Sequence, residues 1–314
     1  RRSRQSGGGL STITLLVDGS SLLYRAFFST PDSVRAPDGK PVNAVHGFFG
    51  MLARLVNDHD PARLAVATDE DWRPAWRVDL VPEYKLARVA PPAEQAAADD
   101  EVGRQSTFCF ALLGGLGVPV VGHAGYEAED VIGTLAEREA AAGHGPVAIV
   151  SGDRDLFQLV RDPDVYVLYP VKGVSELARV DEAEVTRRYG IPGRAYADFA
   201  VLRGDPSDGL PGVKGIGDKT AAALLAAHGT LEGIMEAARA QPGAGALSRV
   251  AGALDYVARA ARVVAIPRDL PLPELDLTRP DGRALPEAAD LAAALNLGGA
   301  FDRLVTALAG TRSG

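Results

Sequence analysis

The chain is poor in cysteine and has no long apolar run. Cys109 is the single cysteine in 314 residues. One thiol cannot form an internal disulfide, so a reducing compartment is expected. Phe108 and Phe110 flank Cys109 and no histidine lies nearby in the sequence, which favours a small buried hydrophobic residue over a nucleophile. No apolar stretch approaches the roughly 20 residues that span a bilayer, so no membrane partner is expected.

Histidine and positive charge are also scarce. The five histidines and one cysteine supply no zinc-binding pattern. Lys and Arg number 33 against 41 Asp and Glu, and this net charge of −8 argues at first against a nucleic-acid partner. That inference fails if many carboxylates gather at one metal site, because bound cations reverse the local field. The remaining composition, 46% hydrophobic and 24% charged, is typical of a soluble globular protein.

Strand-like runs alternate with helical patterns along the first 180 residues. The runs lie at 12–17, 63–68, 118–121, 146–150 and 165–170, and the helical patterns at 44–58, 94–113 and 127–142. This alternation predicts an α/β core with a mostly parallel twisted sheet flanked by helices. From 181 onward Ala-rich helical segments dominate and no convincing strand is visible. We therefore expect a disordered tail at 1–10, a sheet-containing core at 11–180 and a helical region at 181–314.

Basic and aromatic side chains interleave between residues 70 and 93. They are Trp72, Arg73, Trp76, Arg77, Tyr84, Lys85 and Arg88. Such a mixture suits phosphate contact and base stacking on a nucleic acid. A surface helix with Trp72 and Trp76 packed on the core at i, i+4 explains the segment equally well, so both interpretations stay open.

Acidic residues follow the predicted strands. Asp18 follows the first strand, Asp69 the second, and Asp153 and Asp155 the strand at 146–150. Ligands of an open parallel sheet gather beyond the carboxyl ends of its strands, so these acids share one edge.

Three more acids, Glu127, Glu129 and Asp130, begin a predicted helix near its positive dipole end. Any one of these acids could be a helix cap or a turn residue. Several at one edge cannot all ionise without cations, and all-oxygen ligation selects Mg²⁺ or Mn²⁺ over zinc.

A Gly-rich turn follows two further acids, Asp205 and Asp208. Residues 210–229 read LPGVKGIGDKTAAALLAAHG, which matches a helix-hairpin-helix. Such a turn offers backbone N–H groups at a helix N-terminus to a phosphate of duplex DNA, without reading sequence. A Walker A loop fails because Asp218 separates Gly217 from Lys219. An ordinary Gly-rich turn between helices remains an alternative.

Four stretches resemble the 5′ nuclease family, which includes flap endonucleases and the N-terminal 5′–3′ exonuclease domain of bacterial DNA polymerase I. They are LLVDGSSLLYRAFF (15–28), GYEAEDVIGTLA (125–136), IVSGDRDLFQLV (149–160) and RGDPSDGLPGVKGIGDKTAAALL (203–225). Their order and spacing cover roughly 12–275, and the similarity is to the polymerase-I type. No polymerase region follows, so we expect a stand-alone nuclease or the nuclease portion of a longer protein.

The resemblance implies a PIN-like core with a helical arch or gateway at about 70–105. It also implies a helix-hairpin-helix (helix-3-turn-helix) DNA-binding motif at 203–229, followed by C-terminal helices of the same region.

The resemblance further implies roles for individual residues. Family metal positions carry over to Asp18, Asp69, Glu127, Glu129 and Asp130 for a first ion, and to Asp155, Asp205 and Asp208 for a second, with Asp153 between them. The implied residues for the scissile phosphate and the threaded strand are Arg73, Tyr84, Lys85 and Arg88. Those for duplex DNA are Gly212, Lys214, Gly215, Gly217, Lys219 and Thr220. Glu129 stands where the family usually has Asp, and Arg154 where Lys is frequent; neither change removes a ligand.

The implied activity is two-metal-ion hydrolysis of DNA phosphodiesters at 5′ ends, flaps or nicks, in replication, Okazaki fragment processing and repair. The expected cofactors are two or more Mg²⁺ or Mn²⁺ ions, with a K⁺ ion at the hairpin as a further candidate. The expected setting is a monomer in a bacterial cytoplasm, associated with the nucleoid when it acts on DNA, with RNA-primed DNA as a second substrate.

Two other functions are weighed against this one. A non-catalytic, structure-specific DNA-binding module predicts missing ligands, and a PIN-type ribonuclease needs no hairpin.

Overall fold

The computed structural model describes residues 13–310 except Ala244, and the tail predicted at 1–10 lies outside the described residues. One sheet of six strands runs through the structure, in the order β3-β2-β1-β4-β5-β6. The strands are β1 (Thr14–Asp18), β2 (Arg63–Ala67), β3 (Val120–Val121), β4 (Val147–Val150), β5 (Val165–Pro170) and β6 (Leu177–Val180). β1 to β5 are parallel and β6 is antiparallel to β5, which confirms the mostly parallel sheet.

Strand β6 was not predicted. It lies at the edge of the sheet, and of its four residues only Val180 is buried. A short edge strand carries no run of apolar residues that periodicity could detect.

The helices lie on both faces of the sheet and dominate the second half of the chain. They are α1 (Gly19–Ser29), α2 (Asn43–His59), α3 (Ala75–Leu80), α4 (Ala93–Gly115), α5 (Ala128–Ala141), α6 (Glu182–Tyr189), α7 (Tyr196–Arg203), α8 (Asp218–His228), α9 (Leu231–Ala240), α10 (Gly245–Ala251), α11 (Leu254–Val264), α12 (Pro286–Ala294) and α13 (Gly298–Ala309). Among the described residues, every helix is too short or too polar to span a lipid bilayer.

Two hydrophobic clusters cover the two faces of the sheet. Because successive side chains of a strand point to opposite faces, Leu16 enters one cluster while Leu15 and Val17 enter the other. The first cluster also contains α5, α7, α8, α9 and α11, so the helical region shares the core of the sheet. The second contains α1, α2 and α4, and here Cys109 is fully buried as predicted.

The last two helices pack on the sheet layer rather than on the helical region to which the sequence had assigned them. Phe301 of α13 stacks on Phe49 of α2 with ring centroids 6.2 Å apart. Ala288 of α12 belongs to the same cluster as α4. The amphipathic pattern identifies the buried face of such a helix but not the surface that covers it. The division of the chain at about residue 180 stays a prediction.

The two tryptophans of the segment 70–93 differ in their surroundings. Trp76 lies on α3, is half-buried and donates its indole N–H to the carbonyl of Gly125 at 3.1 Å. Trp72 precedes Pro74, lies outside the helix and is 44% exposed. The i, i+4 helical pair is therefore wrong, because α3 begins only at Ala75.

Candidate metal centre

Asp18 ends β1 and begins α1 at the carboxyl edge of the sheet. Its carboxylate accepts the Ser21 N–H at 2.9 Å, as a helix cap, and the Ser151 hydroxyl at 2.6 Å. Burial, with the neighbouring Asp69 second, raises the pKa of Asp18 to about 7. Contact between this helix-capping carboxylate and a cation stays a prediction.

Asp69 and the start of α5 meet beside Asp18. The Asp69 carboxylate accepts the Ala128 N–H at 2.7 Å, which ties β2 to α5. Glu127 and Asp130 form a capping box, in which Asp130 accepts the Glu127 N–H at 3.0 Å. The helix start therefore gathers acids for a local reason as well as a functional one.

A fully buried guanidinium, that of Arg77, lies against these acids. It donates to Glu127 at 2.6 Å and to Asp130 at 2.6 Å, and it lies 3.3 Å from Glu129. Burial alone would lower the pKa of Arg77, but Glu129 and its neighbours raise it overall. Arg77 therefore stays charged and offsets part of the buried negative charge.

Glu129, Asp153 and Asp155 form the tightest group of acids. One carboxylate oxygen from each lies within 4.8 Å of the others. Burial, with Asp153 second, raises the pKa of both Glu129 and Asp155. Three oxygen donors at this spacing repel one another without a cation and match the ligands of a hard divalent ion, so the site fits Mg²⁺ or Mn²⁺.

Two further acids extend the site on the far side of Asp155. Asp205 caps the short 3₁₀ helix 206–208 by accepting the Ser207 N–H at 2.9 Å, and Asp208 lies at the end of that turn. Burial raises the pKa of Asp208 to about 6 although Lys85 opposes the shift. Arg154 and Arg203 approach Asp205 at 3.9 Å and 3.7 Å.

Most of the predicted ligands line two adjoining recesses. A cleft of about 1370 Å³ is lined by Asp18, Asp69, Glu127, Glu129 and Asp153. A recess of about 220 Å³ is lined by Asp153, Asp155, Asp205 and Asp208. Asp153 borders both. Asp130 lines neither, because both its oxygens face Arg77 and the Glu127 N–H, so direct contact between Asp130 and an ion stays a prediction.

The predicted gateway residues fall into two groups. Lys85 and Tyr84 both donate to Glu127, and Arg88 donates to Asp208 at 2.8 Å, so all three reach the acids. The Lys85 backbone adopts a left-handed conformation with φ 48°, held by its N–H on the Asp208 carbonyl at 2.9 Å. The Arg73 guanidinium instead donates to the carbonyls of Tyr84 at 2.6 Å and Pro82 at 2.9 Å. Arg73 thus fastens the loop that carries the other three.

The predicted DNA-binding turn lies at the surface, a few residues after Asp208 of the second recess. Lys214, Gly215, Gly217 and Lys219 are exposed, Gly212 and Thr220 are half-buried, and α8 begins at Asp218. Gly212 and Gly215 have φ values of 68° and 81°, which favour glycine. The turn therefore presents its backbone at a helix N-terminus, as the hairpin pattern predicts.

Family models match nearly all of this architecture. The 5′-3′ exonuclease N-terminal resolvase-like domain matches residues 13–190, and the 5′-3′ exonuclease C-terminal SAM fold matches residues 191–283. The chain belongs to the 5′–3′ exonuclease family. The resemblance seen in the sequence is thereby confirmed.

Individual relatives agree with this assignment. A 5′-3′ exonuclease of Streptomyces coelicolor is 50% identical over 307 residues, covering 94% of this chain and 99% of the relative. A DNA polymerase I of Mycobacterium bovis is 44% identical over 223 residues, covering 71% of this chain and 24% of the polymerase. A bacteriophage T5 flap endonuclease, solved in a complex with DNA and metal ions, has a TM-score of 0.68 at 17% identity, covering 95% of this chain and 100% of the endonuclease. The last similarity shows the shared fold and confirms the PIN-like core.

Sequence reasoning missed several residues that organise the site of this exonuclease. Arg77 was noted only as one basic residue of the 70–93 segment. The Ser151 hydroxyl bonds Asp18 and also accepts the Asp153 N–H at 3.0 Å, and the Ser20 hydroxyl accepts the Asp69 N–H at 3.0 Å. Each serine lies within two residues of a predicted ligand, and that proximity was the available signal. Arg77 had no such signal, because its partners lie 50 or more residues away.

Proposed function

We propose that this family member hydrolyses DNA phosphodiesters at 5′ ends, flaps and nicks, using Mg²⁺ or Mn²⁺ ions held by the acids of the metal centre. The observation that carries the proposal is the convergence of eight predicted ligands on two adjoining recesses. The exposed Gly-rich turn before α8, which is predicted to bind phosphate, supports it. A non-catalytic DNA-binding module would have no reason to keep every acid. A PIN-type ribonuclease would have no use for the turn.

The chain's own residues supply binding, orientation and charge. When bound, the ions would activate water and stabilise charge on the reacting phosphate. Lys85 and Arg88 border the cleft as cations, because each is paired with an acid of the site, and a phosphate entering there meets both. The amides of the turn hold the duplex by its backbone, so that binding requires no particular sequence.

Several finer points belong to this proposal. The ions are two or more in number, and a K⁺ ion at the hairpin would bind its carbonyl groups. The protein acts as a monomer in the bacterial cytoplasm, at the nucleoid, and accepts RNA-primed as well as all-DNA 5′ strands. Arg73 and Tyr84 support Lys85 and Arg88, since Arg73 holds the loop and the Tyr84 hydroxyl donates to Glu127 at 2.6 Å.

The test is digestion of 3′-labelled nicked, flapped and RNA-primed duplexes in Mg²⁺, in Mn²⁺ and in EDTA, with product sizes read at nucleotide resolution. We expect cleavage on the 5′ strand with either ion and none in EDTA. Asp155→Asn should abolish cleavage while retaining duplex binding, because the carboxamide keeps the shape of the side chain and removes its charge. Cleavage without a divalent ion, or an equal loss of binding in Asp155→Asn, would contradict the proposal.

A further inference from the structure

Helix α11 connects the DNA-binding turn to the metal centre. We propose that α11 is a strut that sets the distance between the two, and that Tyr256 and Arg259 are positioning residues which determine the nucleotide at which DNA is cut. The inference rests on the proposed function.

At the DNA side, α11 holds the first glycine of the turn. The Tyr256 hydroxyl accepts the Gly212 N–H at 2.9 Å. Gly212 packs closely against the chain behind it, since a Cβ there would lie 2.4 Å from the Arg203 carbonyl oxygen. The neighbouring helix α10 adds Arg249, which donates to the Gly215 carbonyl at 2.6 Å. The turn is therefore fastened at two points by the α10–α11 pair.

In its middle, α11 holds the gateway segment. The Arg259 guanidinium donates to the carbonyl of Leu80, the last residue of α3, at 2.7 Å. The same guanidinium forms an exposed ion pair with Asp255 at 3.0 Å, one turn earlier on α11. The loop that carries Tyr84 and Lys85 begins directly after Leu80, so its origin is fixed relative to α11.

At its C-terminal end, α11 accepts hydrogen bonds from two side chains, and each of these side chains also bonds residues of the metal centre. The Val263 carbonyl accepts Arg77 Nε at 3.1 Å, and Arg77 is the guanidinium that binds Glu127 and Asp130. The Val264 carbonyl accepts a hydrogen bond from Gln158 Nε2 at 3.0 Å.

The same Gln158 amide also donates to the Asp155 carbonyl at 2.9 Å, and its oxygen accepts the Ile266 N–H at 3.0 Å. Arg77 is fully buried and Gln158 is 5% exposed, so both bonds are shielded from water.

A packed helix cannot easily change its length. Val263 lies seven positions after Tyr256, which corresponds to about 10 Å along the helix at 1.5 Å per residue. Val257, Ala260, Val263 and Val264 are buried, and they seat α11 in the core beneath the site. Successive nucleotides of one DNA strand lie about 3.4 Å apart along the duplex axis. A turn released from α11 and displaced by that amount would place the neighbouring phosphate at the metal centre.

The experiment compares Tyr256→Phe, Arg259→Ala and the double variant with the unaltered chain on a 3′-labelled flap duplex in Mg²⁺. Tyr189→Phe on α6 and Arg262→Ala on the exposed face of α11 are matched controls for the lost hydroxyl and the lost charge. We expect one dominant product from the unaltered chain and the controls. The double variant should divide its product between at least two adjacent positions. Each lost hydrogen bond should raise KM about fivefold with little change in the summed kcat.

The outcomes separate the two hypotheses. If the unaltered chain yields no product, the proposed function fails. If the unaltered chain cleaves and every variant cuts at the same single position, the strut is overturned, whatever the affinity of the variants for DNA. In that case the hydrogen bonds of α11 to the turn and to the gateway segment affect KM but not the cleavage position. Thermal unfolding accompanies each assay. Should the double variant not fold, Tyr256→Phe, which removes one oxygen atom, decides the question by itself.

Discussion

At the scale of single residues, several acids of this exonuclease are buried close together and share one positive charge. Glu127, Glu129 and Asp130 lie within reach of one guanidinium, that of Arg77, which has no exposed surface. Removing one partner of a buried ionic group is costly, because the charge left behind has neither water nor a counterion. Arg77 therefore links the stability of the protein to the charge state of its metal centre.

Arg77→Met should destabilise the metal-free protein by about 3–5 kcal/mol. Mg²⁺ or Mn²⁺ should restore part of that loss, since a bound ion supplies positive charge to the same carboxylates. Thermal unfolding in EDTA and in Mn²⁺ measures both effects. Arg138→Met is the control, because the Arg138 guanidinium donates to the carbonyls of Leu270 and Leu272 rather than to acids. A Mn²⁺-induced rise in Tm equal to that of the unaltered chain would show that Arg77 does not share the charge balance of the site.

Secondary-structure elements bring the acids and the DNA-binding turn together. β1, β2 and β4 end at one edge, α5 begins there, and the loop after α7 places Asp205 and Asp208 beside Asp155. The turn at 212–217 follows that loop directly, and its Val213 N–H donates to the Leu202 carbonyl at 2.9 Å. The turn and the acids are therefore carried by consecutive segments of the chain, and variants of the turn can leave the acids in place.

Replacing Lys214 and Lys219 by alanine should weaken duplex binding and make it less sensitive to salt. Each phosphate contact that is lost reduces the slope of log K against log salt by about 0.9, so the pair should reduce it by about 2. Binding of a nicked duplex in EDTA across a range of KCl concentrations measures the slope. Lys40→Ala, a lysine outside the turn whose side chain is 64% exposed, should leave it unchanged. An unchanged slope in the double variant would remove these lysines from the DNA interface.

Helix α13 contributes to the stability of the fold through its packing on α2. Phe301 is 6% exposed and stacks on Phe49, so Phe301→Ala should lower the free energy of unfolding by about 3–5 kcal/mol. Leu285→Ala, at a side chain that is 57% exposed, should change it by less than about 0.5 kcal/mol. Urea unfolding with a linear extrapolation compares the two variants. Similar values for both would mean that α13 does not belong to the folded core.

At the scale of the whole molecule, the excess of acid makes folding and metal binding depend on pH in opposite directions. The pKa of Asp18 rises from 3.8 to about 7 on folding, and those of Asp69, Glu129 and Asp155 also rise, in each case mainly through burial. At these four acids the folded, metal-free protein therefore holds more protons than the unfolded chain. The protonated acids favour folding below pH 4, and this contribution is lost as the pH rises toward 7.

Between pH 5.5 and 7.5 these groups should lower the stability of the EDTA-treated protein, with about 2 kcal/mol from Asp18 alone. Saturating Mg²⁺ should oppose the loss, because the ion binds the ionised carboxylates. The rise in Tm on adding Mg²⁺ should therefore be larger at pH 7.5 than at pH 5.5, by about 3 °C from Asp18 alone. Differential scanning fluorimetry at both pH values tests this, and Asp18→Asn should reduce the difference. A rise that is independent of pH would contradict the protonation of the buried acids.

The sequence by itself determined the alternation of strands β1 to β5 with helices. It also determined the edge of the sheet at which most of the acids lie. Asp18, Asp69, Asp153 and Asp155 each follow an apolar run, and parallel strands always end on one side of their sheet. The glycines of the turn were equally visible, because a left-handed backbone at Gly212 and Gly215 restricts the residue type. These features are local or follow from a general rule of topology.

Only the tertiary structure decided what joins those acids to one another and to the DNA-binding turn. Arg77 reaches Glu127 and Asp130 across about 50 residues of sequence, and Tyr256 reaches Gly212 across 44. The packing of α13 on α2 likewise depends on which apolar surfaces meet. Periodicity shows that a face is buried but not against what, because hydrophobic burial is non-directional. The sequence predicted that the acidic excess forms a metal site at one edge of the sheet. Only the folded chain showed its counter-charge, Arg77, and its connection to the turn through α11.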